Sequence, residues 1–221
     1  EGDELGFVST THERNLYRET IDGALVLVCR QVDDFAIATA SPDTAEKLIA
    51  IINKHATTTS KGIGVKDEQG IGLRYNGIDI HQTRDYTKLS CETYIERVLQ
   101  THGWEKPTAN ESDRFDAVPL PVDSVETLLK ETGPSEGSKE HRELEEKVGF
   151  GYRTLLGELM YAFVVCRLDI GFAVTLLARF STCPSRSHYM ALKSVTRYLR
   201  RTKDWGLIYW RQAPIDLLPA V

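Results

Sequence analysis

The chain has 221 residues, 41% hydrophobic and 27% charged, with a formal net charge of −5. This balance supplies apolar surface for one good core or two small ones, and it excludes the disordered class. No apolar run approaches the ~20 residues of a membrane span and no secretory segment opens the chain, so an intracellular protein without a membrane partner is expected.

The first informative stretch follows Asp22-Gly23, a turn signal. Residues 25–29 (Leu-Val-Leu-Val-Cys) and 35–38 (Phe-Ala-Ile-Ala) are short apolar runs of strand length, with the adjacent carboxylates Asp33 and Asp34 between them. The pattern predicts a hairpin with two adjacent carboxylates at its tip. Neighbouring acids repel each other, so they either face water as an ordinary turn or share a cation. Ser41-Pro42 then predicts a helix start, with Ser41 as N-cap and a helix over 42–55 carrying Ala45, Leu48, Ile49 and Ile52 on one face.

Residues 56–72 are rich in Thr, Lys and Gly and predict a connection. Alternation over 73–80, with Gly77 inside it, predicts one strand with a close backbone approach, and 86–89 its return. Asp79 on that strand is expected to be merely solvated. Tyr94, Ile95, Val98 and Leu99 predict an amphipathic helix stopped by Gly103. Residues 105–146 hold four prolines (107, 119, 121 and 134) and many acids, and predict a linker or lightly structured excursion.

Three helical stripes follow: Leu155 to Val164, Ile170 to Leu177 with Asp169 as N-cap, and 187–201 with Leu192, Val195 and Leu199. A last strand is predicted over 206–210. On the third helix Lys193, Arg197 and Arg201 recur every four residues, giving either a solvated charged face or a contact face for backbone phosphates. Residues 179–211 hold eight basic residues against one acid, so the overall negative charge conceals a basic end. Tyr189, Tyr198 and Trp205 read as core. Cys29, Cys91, Cys166 and Cys183 form no Cys-x-x-Cys pair and read as reduced core thiols.

Four ordered blocks carry a resemblance. They are Gln31-Val32-Asp33-Asp34; Tyr152-Arg153-Thr154-Leu155-Leu156-Gly157-Glu158-Leu159-Met160-Tyr161; Arg167-Leu168-Asp169-Ile170-Gly171-Phe172-Ala173-Val174; and His188, Ala191-Leu192-Lys193, Arg197-Tyr198-Leu199 with the run from Thr202 to Tyr209. Together these blocks resemble the copia-type class of LTR-retrotransposon reverse transcriptases. The resemblance implies an α+β fold: a partial polymerase palm (antiparallel sheet with helices) over 1–104, a linker over 105–146, then a mainly helical thumb and the start of a connection region over 147–221.

It further implies that Asp33 and Asp34 are catalytic and hold Mg²⁺ or Mn²⁺ in two-metal nucleotidyl transfer, with Asp33 the principal ligand. Gln31, where the family usually has tyrosine, and Gly77 would lie near the primer, while Lys193, Arg197 and Arg201 would touch duplex phosphates. Partners would be an RNA/DNA primer-template, dNTPs and a fingers/palm segment preceding Glu1, which carries the remaining catalytic aspartate. An open sheet edge is expected beside the acidic hairpin, where that segment's strand would pair. The isolated chain is expected to be inactive. The alternative is a domesticated, non-catalytic retroelement fragment that binds nucleic acid or serves as a structural subunit.

Overall fold

A computed structural model describes residues 6–55, 57–60, 71–107 and 118–212. Of the connection predicted over 56–72 and the excursion over 105–146, residues 56, 61–70 and 108–117 lie outside the described residues. The architecture is α+β, and the chain divides into two compact units: Glu1–Lys88 with Tyr209–Val221, and Leu89–Ile208.

The first unit contains an antiparallel sheet of β1 (Val8–Ser9), β2 (Leu16–Ile21), β3 (Ala24–Gln31) and β4 (Asp34–Thr39), paired in that order. Alternation along β3 turns Val26 and Val28 to one face, where both are buried. α1 (Pro42–His55) covers that face with Leu48 and Ile52, and Tyr17, Ile21 and Ile37 complete the cluster. The start of α1 follows its residues: the Thr44 amide reaches the Ser41 hydroxyl at 3.5 Å, and Pro42 takes the first helical position. The sheet ends on β4, whose outer edge no described strand pairs.

A second antiparallel pair, β5 (Ile71–Tyr75) and β6 (Ile78–Gln82), corrects the single strand predicted over 73–80. Asn76 and Gly77 have φ of 48° and 78°, the left-handed pair of a type I′ turn, so Gly77 sits in a turn and not within a strand. The Asn-Gly dipeptide announced this, but the alternation on either side of it masked the break. Asp79 is not free: its carboxylate takes a 3.0 Å hydrogen bond from Arg74 directly across the ladder. β7 (Tyr86–Ser90) and β8 (Gly206–Trp210) complete this second sheet in the order β5-β6-β7-β8.

The second unit is helical. α2 (Glu92–His102) ends at Gly103 with φ of 67° and buries Ile95, Val98 and Leu99. That buried stripe packs α2 with the later helices, and the second unit begins just before it. The acidic excursion is also more ordered than predicted, for it carries α3 (Val122–Lys130) and α4 (Lys139–Val148). Most of its charges are exposed, with Glu131 and Glu145 half-buried, while Leu128 and His141 are buried anchors that the charge count concealed.

α5 (Tyr152–Val165), a 3₁₀ turn (Leu168–Ile170), α6 (Gly171–Ala178) and α7 (Arg186–Arg201) form the core around Leu155, Leu159, Val174, Leu177, Leu192 and Val195. Tyr189 and Tyr198 are buried as predicted, whereas Trp205 is exposed.

Two buried polar groups fasten this unit. His188 is fully buried; its Nδ1 accepts the Ser185 amide at 2.8 Å, so the proton sits on Nε2, which donates to the Leu128 carbonyl at 2.9 Å. Ser185 and Ser187 donate to Glu131 at 2.6 and 3.1 Å, which holds the Glu131 carboxyl below its usual range. The end of α3 is thereby tied to the start of α7.

Arg167, 1% exposed, makes paired hydrogen bonds to Asp169 at 2.9 and 2.7 Å and reaches the Thr202 carbonyl and hydroxyl at 2.8 and 2.6 Å. Asp169 is therefore a counter-ion, not the helix cap expected, and it also accepts the Tyr198 hydroxyl at 2.8 Å.

Burial by itself would raise the Asp169 pKa, but the Arg167 hydrogen bond and charge, with the Tyr198 hydroxyl, bring it below the usual value. A carboxylate depressed in the folded state contributes stability above its unfolded pKa of about 3.9 and loses it as pH falls through the lower folded value. Acid titration of the urea midpoint should therefore show a loss beginning near that unfolded value, and Asp169→Asn should remove that component. Arg167→Ala should cost about 3–5 kcal/mol in urea unfolding at neutral pH, because it strands a partly buried charge.

Candidate functional site

The acidic hairpin is built by its register. Val28 pairs with Ile37, Cys29 with Ala36 and Gln31 with Asp34, which leaves only Val32 and Asp33 in the turn. Asp33 and Asp34 are both exposed at the tip. Asp33 lies off the strand, whereas Asp34 is the first residue of β4. Alternation places Gln31 and Asp34 on the same face as Cys29 and Ala36, away from the α1 core.

Three two-residue turns organise this unit, and they differ in one respect. Asp22-Gly23 and Asn76-Gly77 both have positive φ at each central residue, with glycine second. In the acidic turn Val32 alone has positive φ, 54°, the pattern of a type II′ turn, whose first central position prefers glycine. A β-branched residue there stores strain of about 1–3 kcal/mol. Val32 is 80% exposed, so no packing in the described structure repays that strain.

The second hairpin meets the first. Tyr75, the last residue of β5, donates its hydroxyl to the Cys29 carbonyl at 3.3 Å and lies 3.8 Å from the Cys29 sulfur. Burial pushes the phenol up to about 12, and the Cys29 hydrogen bond and the Asp34 charge act in the same direction. The structure thus brings together Gln31, Asp33, Asp34 and, through Tyr75, the hairpin carrying Gly77. Tyr75 was missed in the sequence. Its one signal was an aromatic residue directly before an Asn-Gly turn.

Lys193, Arg197 and Arg201 belong to the second unit and are half-buried. α7 buries eight of its residues, too many for a wide basic face opposite a narrow apolar stripe. The Lys193 ammonium sits 5.2 Å from the Trp104 ring centroid, Arg197 donates to Ser194 at 2.9 Å, and Arg200 donates to the Trp104 carbonyl at 3.1 Å. Among the described residues no group of three or more His, Cys, Asp or Glu side chains is close enough to hold a metal ion.

No family model matches the chain, and no solved structure does. A transposon Ty5-1 protein of Saccharomyces cerevisiae is 27% identical over 208 residues, which is 93% of this chain and 58% of that protein. The retrovirus-related Pol polyprotein from transposon TNT 1-94 of Nicotiana tabacum is 32% identical over 170 residues, which is 75% of this chain and 12% of the polyprotein. The chain is a relative of retrotransposon Pol polyproteins. A shorter stretch, 67 residues or 30% of the chain, is 39% identical to a secreted RxLR effector protein of Plasmopara viticola. The chain spans 58% of the Ty5-1 protein and a far smaller share of the TNT 1-94 polyprotein, so this retrotransposon-derived chain corresponds to one portion of them.

The strained tip generates a direct test. Val32→Gly should raise stability in urea unfolding by about 1 kcal/mol, since the relieved strain exceeds the extra backbone entropy of glycine. Val32→Ile should give no such gain.

Proposed function

We propose that the chain is the rear part of the palm, with the helical thumb and the start of the connection region, of an intracellular RNA-directed DNA polymerase. The observation that supports this reading is the exposed Asp33–Asp34 pair at a hairpin tip beside an edge of β4 that no described strand pairs. Two hard carboxylate oxygen donors suit Mg²⁺ or Mn²⁺, which are commonly held by one or two carboxylates plus substrate phosphates and water. Bound there, the ion would activate the primer hydroxyl and neutralise charge on the transferring phosphate.

The chain's own residues have separable tasks. Asp33 and Asp34 present the negative charge that holds the ion. Gln31, cross-strand partner of Asp34, offers an amide to the primer terminus on the same face. Gly77, in the turn of the second hairpin, leaves room for a primer strand to pass closely. That edge of β4 would receive the strand that supplies a further acid. Lys193, Arg197 and Arg201, recurring every four residues along α7, would contact duplex phosphates.

With two carboxylates and no further acidic strand, the chain alone should hold the ion weakly and extend no primer. The test is a chimera in which this chain replaces its matching segment of the TNT 1-94 polyprotein, assayed by primer extension on an RNA template with dNTPs and Mg²⁺. The expected result is extension by the chimera and loss of at least about 100-fold with Asp33→Asn or Asp34→Asn, the scale of removing charge that acts in the transition state. A correctly folded but silent chimera would favour the non-catalytic alternative, as would extension indifferent to both aspartates.

A further inference from the structure

The connection between β1 and β2 lies beside the acidic tip, on the side of β3 away from β4. The ladder between β2 and β3 continues one step past Leu16, where the Arg30 amide donates to the Asn15 carbonyl at 2.8 Å. The next residue back, Arg14, comes level with Gln31, whose partner on its other side is Asp34, so about two strand spacings of ~4.8 Å separate the Arg14 and Asp34 backbones. This connection is wired to itself. The Thr10 hydroxyl donates to the Glu13 carbonyl at 2.8 Å and accepts the Glu13 amide at 3.2 Å, while the Glu13 carboxylate takes the Asn15 amide at 2.9 Å. The Leu16 amide closes a turn on the Glu13 carbonyl at 3.1 Å. Those bonds engage the one acid of residues 10–15 and leave Arg14 exposed at the head of the turn.

We propose that Arg14 is a phosphate-binding residue of the site at the acidic tip, its guanidinium taking phosphate oxygens of a ligand that reaches Asp33 and Asp34. Two carboxylates by themselves repel a phosphate, and a divalent ion between them offsets only part of that charge. A cation on a rigid support beside the pair completes the neutralisation. Arginine suits the role, because its planar fork matches two phosphate oxygens at once and it stays charged at every working pH. The inference rests on the polymerase reading above and adds to it a residue outside the acidic motif. The phosphate is that of a nucleoside triphosphate or of a strand backbone, two sources that differ in their need for the metal.

The test follows amide shifts of the ¹⁵N-labelled full chain during titration with Mg²⁺, then with magnesium pyrophosphate, and separately with a short DNA strand without metal. Mg²⁺ alone should move the Asp33 and Asp34 amides both in the unsubstituted chain and in Arg14→Gln. The Arg14 and Asn15 amides should move with one of the two phosphate probes, and Arg14→Gln should weaken that probe by about fivefold, the scale of one well-placed charge pair at an exposed site. A response to pyrophosphate assigns the triphosphate as the source, and a response to the DNA strand assigns the backbone. Arg18→Gln removes an equal charge from an exposed position farther along β2, opposite Leu27, and should leave both titrations unchanged. Silence of the Arg14 amide toward both probes overturns the role of Arg14, as does affinity lost equally in Arg14→Gln and Arg18→Gln or in neither, and each of these results leaves the polymerase reading untouched. Asp33 and Asp34 amides that ignore Mg²⁺ in the unsubstituted chain remove that reading, and this inference falls with it.

Discussion

The arrangement of the site depends on the pairing register between β3 and β4. Burial of Val26 and Val28 beneath α1 fixes which face of β3 is inward, and a slip by one residue would exchange the two faces. With the register set, Gln31 and Asp34 close the ladder and only two residues remain for the turn. The acids are thus exposed by a packing decision made several residues away. Their placement follows from the hydrophobic cluster beneath the sheet, and Val32 absorbs the backbone strain that the short connection imposes.

The second unit shows a different economy. Its apolar core is larger, yet its connections are secured by buried polar groups that tie distant stretches together: Arg167 to the end of α7, His188 to the end of α3. Each is satisfied by more than one partner, which is what makes burial of a charged or polar side chain tolerable. The α3–α4 excursion therefore belongs to the helical body through its anchors despite its acidic composition.

Much of this was legible in the sequence where local chemistry and long-range packing agree. Ser41-Pro42 at the start of α1, Gly103 at the end of α2, Asp22-Gly23 before β3 and the apolar stripes of α5 to α7 all formed as their residues dictate. The acidic pair fell at a hairpin tip because two apolar runs with so short a gap leave little alternative. Legibility failed where the deciding partner is far away. Asp169 reads as a helix cap until Arg167 and Tyr198 claim it, and Lys193 reads as part of a solvated or phosphate-contacting face with no sign of its place over the Trp104 ring. The Asn76-Gly77 turn is a different failure, since its signal was local and the surrounding alternation outweighed it.

The position of β4 has a consequence for handling the molecule. Its outer rim of amides and carbonyls is bordered by Phe35, Ala36, Ile37 and Ala38, a stretch with no lysine, proline or bulge of the kind that discourages neighbours. Phe35 is 42% exposed, which adds an adhesive side chain to an adhesive backbone. Such a rim recruits whatever extended peptide is nearby, including other copies of itself. Concentrated samples should therefore associate and precipitate through this strand, and charge introduced along it is the natural remedy for solubility.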